Sequence, residues 1–188
     1  MMPTEVSTRI SYEEFRELPD DGKRYELICG DVHVSPSPST WHQIALWVLS
    51  TSLGTFTAKN RLGRVLFAPL DVRLGLETAV QPDLIFISNA RAHLIQENFI
   101  AGAPDLVVEV LSPSTAAYDR AAKLALYVES GVPEVWFIDP QAATAEVLRL
   151  QGRKYFVEAA LGGDQVLAST LFPGWELPLN ELFDFRTS

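Results

Sequence analysis

Two apolar runs in this chain each carry a carboxylate. In Gln81-Pro82-Asp83-Leu84-Ile85-Phe86-Ile87, Asp83 sits at the mouth of the run; in Asp105-Leu106-Val107-Val108-Glu109-Val110-Leu111-Ser112-Pro113, Glu109 sits inside it. Runs of this kind fill buried strands, where an unpaired carboxylate is expensive to desolvate. Two carboxylates on neighbouring strands can instead share a divalent cation, which takes oxygen ligands. The chemistry this suggests is metal-assisted hydrolysis, which also needs a positive group beside the attacking water or the bond to be cut. A lysine two residues after the glutamate would share its strand face, because strand side chains alternate. That position holds Leu111. The next segment offers a replacement: Asp119, Lys123 and Tyr127 are spaced i, i+4, i+8 and share one face of an expected helix. Lys123 is the only lysine between Lys59 and Lys154. Packed across the sheet beside Glu109, its amine would reach the carboxylates.

Each of these residues also has a plainer reading. Asp83 could cap its own turn, Glu109 could pair with an arginine, and Lys123 could face solvent beside Asp119, an exposed pair worth about a few tenths of a kcal/mol. Alternation in Tyr25-Glu26-Leu27-Ile28 permits a buried or a solvent-facing Glu26. His42 opens a helix after a Pro/Ser loop, where it could contact phosphate or cap the helix. Tyr127 suits core packing or a hydrogen bond at the site. Asp71 and Asp105 read as structural turn or strand-edge groups, and Trp136 and Trp175 as core. Lys59, Arg61 and Arg64 form a basic loop that could track a phosphate backbone but reads more simply as a solvated turn.

The elements that must position these groups follow from patterning. Ser11-Tyr12-Glu13-Glu14 is a capping box opening a short helix that ends near Pro19. Asp20 to Lys23 is a turn. Arg24 to Ile28 and Val32 to Ser35 are strands joined at Cys29-Gly30-Asp31 as a hairpin. Trp41 to Phe56 is helical, with Ile44, Trp47, Val48 and Leu49 expected on its buried face. Gly63 to Phe67, Leu70 to Leu74, Leu84 to Ile87 and Asp105 to Leu111 are strands. Ser114 or Thr115 would cap a helix from about Ala116 to Ser130, ended by Gly131 and Pro133. Glu134 to Asp139 returns as a buried strand, so Val107 to Ile138 forms a strand-helix-strand unit with a parallel crossover. Segments near 145–150, 155–160, 165–169 and 174–179 read as an antiparallel meander. The expected class is α/β (α+β), a mixed sheet flanked by helices with a β-rich C-terminal extension, all in one domain over residues 1–188.

Composition sets outer bounds. The 188 residues are 47% hydrophobic and 21% charged, as in an ordinary globular domain. No apolar run suits a bilayer-spanning helix, and the N-terminus lacks a secretory pattern. With one cysteine, Cys29, an internal disulfide and a cysteine-based zinc site are excluded; a cytoplasmic protein with no membrane partner is expected. The net charge of −9 opposes tight nonspecific binding to nucleic acid, which depends on neutralising phosphates. It does not exclude an enzyme acting on nucleic acid, because acidic metal ligands supply part of that charge. Arg predominates among the basic residues, the better fork for phosphate oxygens.

Taken together, Tyr25-Glu26-Leu27-Ile28, Ser35-Pro36-Ser37-Pro38 with His42, Ala68-Pro69-Leu70-Asp71-Val72, Gln81-Pro82-Asp83-Leu84, the long run Gly102 to Thr115, and Lys123-Leu124-Ala125-Leu126-Tyr127 span most of the chain. In these stretches the chain resembles the Uma family, a bacterial group whose nuclease activity is inferred from its fold, in the PD-(D/E)XK restriction-endonuclease-like superfamily. The resemblance implies that Asp83 and Glu109 match the acidic metal ligands, that Lys123 matches the lysine after migration to a helix, and that Glu26 matches a further acidic position. It implies Mg²⁺, with Mn²⁺ as substitute, and an endonuclease acting on DNA, His42 and Tyr127 being substrate-binding candidates. Cys29 departs from the acidic residue usual in the Glu-Leu-Ile-x-Gly turn. A homodimer or higher homo-oligomer is expected, since cutting both strands favours two sites. Two other functions remain open on sequence: a catalytically silent nuclease fold that binds or assembles, and a hydrolase of small phosphoesters.

Overall fold

A computed structural model describes residues 9–19, 21–35, 37–112 and 116–184, the side chains of 116–119 excepted. It opens with α1 (Tyr12–Arg16), held by the expected capping box: Ser11 Oγ accepts from Glu14 N–H, and the Glu14 carboxylate accepts from Ser11 N–H at 2.8 Å. β1 (Arg24–Ile28) and β2 (Asp31–Ser35) form the hairpin, but its turn is only two residues long, Cys29-Gly30, with Asp31 paired to Ile28. Both turn residues have positive φ, +51° at Cys29 and +85° at Gly30, as a right-twisting two-residue hairpin demands. Asn, Asp and Gly tolerate that conformation best, so Cys29 stands at a position with a backbone demand.

α2 (Thr40–Lys59) starts at Ser39, whose hydroxyl accepts from His42 N–H at 3.2 Å. Its phase corrects the expectation from sequence. The buried face is His42, Ala45, Leu46, Leu49, Leu53 and Thr57, whereas Trp47 is 67% exposed and Ile44 and Val48 only half-buried. The leucines seat against the sheet, and the same phase carries His42 inward; with both stripes apolar, hydrophobicity alone did not favour the right one.

The following strands are β3 (Gly63–Phe67), β4 (Asp71–Gly75), β5 (Thr78–Val80), β6 (Leu84–Ser88), β7 (Phe99–Ala101) and β8 (Leu106–Val110). They do not share one sheet, as the sequence suggested. β2-β1-β5-β4-β7 form a five-stranded sheet, and β3, β6 and β8 enter a six-stranded sheet. α3 (Ala116–Ser130) then crosses over to β9 (Glu134–Asp139), which lies parallel to β8. β10 (Thr144–Gln151) and β11 (Lys154–Gly162) complete the second sheet, ordered β11-β10-β9-β8-β6-β3. The tail is a meander only this far. β12 (Val166–Ala168) and β13 (Glu176–Pro178) pair with each other in a separate ribbon, followed by α4 (Leu179–Leu182). The sequence reading passed over β5 and β7 because three residues carry almost no periodic signal.

The six-stranded sheet divides its side chains by alternation. Leu84, Phe86, Leu106, Val108, Trp136 and Ile138 face α2 and the C-terminal ribbon, where Trp136 stacks on Trp175 at 5.6 Å. Ile85, Ile87, Val107, Val135 and Phe137 face α3 and the apolar side of the five-stranded sheet, represented by Val72, Val80 and Ile100. Asp83 and Glu109 have the parity of this second face. The antiparallel register Leu84↔Val108, continued by one residue, sets Asp83 opposite Glu109. The fold is thus α+β, built from several sheets flanked by helices. Among the described residues no helix is long and apolar enough to cross a membrane. The proposed Ser114 or Thr115 cap and the side chain of Asp119 lie outside the described residues.

Candidate active site

Asp83 lies where β6 begins, and three elements aim donors at its carboxylate. Val110 N–H, at the end of β8, donates to Oδ2 at 2.8 Å. On the other oxygen, Arg24 NH1 from β1 donates to Oδ1 at 3.2 Å, and His42 Nε2 from α2 lies 3.3 Å away. Arg24 was not a candidate on sequence. It stands two residues before Glu26 on the same strand, hence on the same face, and that spacing was the available signal. It also donates to the Gln81 carbonyl, tying the β1 hairpin to the segment that delivers Asp83.

Glu109, in the middle of a strand whose other residues are apolar and buried, receives two side chains from α3. Lys123 Nζ lies 3.1 Å from Oε1 and 3.2 Å from Oε2, and the Tyr127 hydroxyl donates to Oε1. The i, i+4 spacing of Lys123 and Tyr127 is what lets one helix face reach one carboxylate. Lys123 also lies 3.2 Å from Glu26 Oε1. Glu26 is buried, not solvent-facing, and accepts from Gln81 N–H at 2.8 Å and from Ser35 Oγ at 3.3 Å. The lysine therefore bridges two carboxylates from different sheets.

A cavity of about 440 Å³ opens over this cluster. Asp83, Glu109, Lys123, Glu26, His42 and Arg24 all line it. Tyr127 does not reach it in this arrangement: the residue is fully buried, with its hydroxyl turned to Glu109. The expected substrate contact is replaced by a hold on the carboxylate. Asp71 and Asp105, read as structural, accept hydrogen bonds away from the cluster, from Tyr12 and Gln81 and from Ser88 N–H respectively.

The electrostatics divide the two carboxylates. Burial pushes Asp83 up, but the hydrogen bond and charge of His42, then Arg24 and Val110 N–H, outweigh it and hold the group below its ordinary value. At Glu109 burial is again the largest influence; Lys123 opposes it, Asp83 and Glu26 add to it, and the result is raised to about 7. Lys123 is held above its ordinary value: burial disfavours its charge, but Glu109, Glu26 and Asp83 overcome that. Burial, followed by the charge of Glu109, keeps the Tyr127 hydroxyl protonated well beyond the usual range.

A pH prediction follows for the metal-free chain. Glu109 has a raised value in the folded state, about 7 against an ordinary 4.5, so between these limits the folded chain holds more protons than the unfolded one. Its contribution to stability is full below the lower value and is lost as pH rises through the upper one. Denaturant unfolding across this window should show stability falling with pH in the parent chain, with a flatter profile in Glu109→Gln. Parallel profiles would show that Glu109 does not titrate there.

The donor set suits a hard cation. Among the described residues no three or more His, Cys, Asp or Glu side chains form a ready-made cage. Mg²⁺ does not need one, since it commonly takes one or two carboxylates and completes its shell with water and phosphate oxygens. Each carboxylate offers about four lone-pair sites. Around Asp83 three are met by Arg24, His42 and Val110 N–H, and around Glu109 three by the Lys123 and Tyr127 contacts. Among the contacts of the described residues, a lone pair remains on each, on opposed strand positions that line the cavity.

A family model described as "Uma2: Putative restriction endonuclease" matches residues 12–180. Among solved structures the chain is similar to a crystal structure titled as a putative nuclease of the DUF820 family from Anabaena variabilis. The TM-score is 0.78 at 22% identity, over 94% of this chain and 98% of that one; at that identity the likeness speaks for the fold. No curated protein matches.

Proposed function

The chain belongs to the Uma2 family, and from that premise we propose that it is a Mg²⁺-dependent endonuclease, with Mn²⁺ as substitute, hydrolysing phosphodiester bonds of DNA. The observation that supports this best is the bridge made by Lys123, 3.1 Å from Glu109 and 3.2 Å from Glu26, beside the cavity that Asp83 also lines. Asp83 and Glu109 would hold the metal, which would supply Lewis-acid chemistry, making water a stronger nucleophile and polarising the phosphate. Lys123 stays protonated in its carboxylate setting and places a fixed positive charge where negative charge develops on the phosphate oxygens. Glu26 positions that ammonium. Tyr127 fixes the orientation of Glu109, while Arg24 and His42 fix that of Asp83; His42, at the cavity wall, would also meet substrate. Cutting both strands of a duplex would favour two such sites, which is the reason to expect a homodimer or higher homo-oligomer.

Supercoiled plasmid incubated with the purified chain tests the reading. Conversion to nicked or linear DNA is expected with Mg²⁺ or Mn²⁺ and none in a chelator. Conversion that persists in the chelator would remove the metal from the mechanism. A chain that binds plasmid but never cuts it in saturating Mn²⁺ would be a nuclease fold retained for binding.

A further inference from the structure

Beyond the carboxylates, the cavity has one more built feature. The register Glu109↔Phe137 between β8 and β9, and Glu146↔Phe137 between β9 and β10, sets Glu109, Phe137 and Glu146 in one row across three strands. α3 lies over this row. Lys123 covers Glu109, and Arg120, one turn earlier, covers the other two. The Arg120 guanidinium carbon lies 4.4 Å from the centroid of the Phe137 ring. Its NH1 donates to Glu146 Oε1 at 3.3 Å and its NH2 to Oε2. Even so, 30% of the side chain stays exposed, and Arg120 and Phe137 both line the cavity.

This arrangement is a poor phosphate clamp. The guanidinium fork that would grip phosphate oxygens in a bidentate manner is taken by Glu146, and its charge is balanced there. What remains is the plane, backed on one face by Phe137 and pinned at its edge by a carboxylate. A rigid, charge-compensated guanidinium plane suits a flat π-system, and nucleobases stack on Arg planes as they do on aromatic rings. Adjacent strands are about 4.8 Å apart, so Phe137, which the plane covers, lies roughly one strand spacing from Glu109, within reach of a base whose phosphate is at the carboxylates.

We propose that Arg120 is a stacking platform for a base lifted out of the helical stack beside the bond to be cut, so that the strand is single-stranded, frayed or base-flipped where it is cut, a duplex included. This rests on the nuclease reading above and names the substrate form for the same site. A base inside a duplex is already stacked on both faces and has none to offer. Phe137 and Glu146 are positioning residues that keep the plane fixed.

The test is fluorescence anisotropy in Ca²⁺ with short single-stranded oligothymidylate, and with the same strand carrying an abasic residue at each position in turn. For the parent chain, one abasic position should weaken binding by about tenfold, the size of one stacking contact. Arg120→Lys keeps the charge beside Glu146 and Phe137 but loses the plane. It should bind the fully based and abasic strands equally, with the abasic affinity and melting temperature of the parent. Arg120→Gln, which retains a smaller plane, should fall between. Equal sensitivity to base removal in the parent and Arg120→Lys would overturn the platform, as would a parent indifferent to every abasic position; in both cases the nuclease reading would stand. A parent chain that binds no oligonucleotide would overturn the platform too, and the nuclease reading would fall only if the same chain also left plasmid unconverted in Mg²⁺ and Mn²⁺.

Discussion

Lys123→Met should lower the rate of metal-dependent plasmid cleavage by about 10²- to 10³-fold, the loss typical when one preorganised charge is removed from a transition state. The lysine is only 14% exposed and touches Glu109 and Glu26 together. Its removal also leaves two buried carboxylates facing each other, and breaking a buried pair in this way costs about 3–5 kcal/mol in general. Here Glu109 can relieve part of that cost by binding a proton, since it already titrates near neutrality at about 7. The stability deficit should therefore be smaller below neutral pH than above it, while the rate deficit persists at both. Single-turnover cleavage and denaturant unfolding at two pH values separate these effects. A folded Lys123→Met chain that cuts at the parent rate would take Lys123 out of the chemistry.

Asp83→Asn should lose stability together with cation binding. Arg24, His42 and Val110 N–H converge on this one carboxylate. An asparagine amide presents donors of its own to at least one of them. A buried donor left unsatisfied costs about 1–3 kcal/mol, and the partly exposed Arg24 loses its charged partner as well. Because Asp83 is held below its ordinary value of 3.8, its contribution is present above that value and lost as pH falls through the lower folded value. The deficit in Asp83→Asn should close in acid. At neutral pH the parent should gain melting temperature with Mg²⁺ or Mn²⁺, and Asp83→Asn should not. Asp105→Asn, altered at a carboxylate bonded to Ser88 N–H away from the cluster, should keep the metal-induced gain. A full gain in Asp83→Asn would exclude that residue as a ligand.

Asp83 and Glu109 were legible in the sequence because each is a carboxylate set at or within a continuous apolar run, and helical spacing ties Lys123 to Tyr127. That both side chains of α3 end on Glu109 depends on how the helix packs, which local periodicity does not encode. Glu26 was ambiguous for a related reason: a strand pattern says which residues share a face, not which face is covered. The division into two main sheets was hidden in β5 and β7, each three residues long, and the phase of α2 in a helix whose two candidate stripes are both apolar. Arg24 escaped notice because a lone arginine at a strand start has no distinguishing pattern until its strand partner Glu26 is known to face inward.

The central claim is that Asp83 and Glu109 together hold a divalent cation. Its most direct test is a crystal of the chain soaked in Mn²⁺ and measured at the manganese absorption edge. An anomalous peak within coordination distance of both carboxylates is the expected result. A well-ordered site with no peak between them, or a peak bound elsewhere, would contradict it.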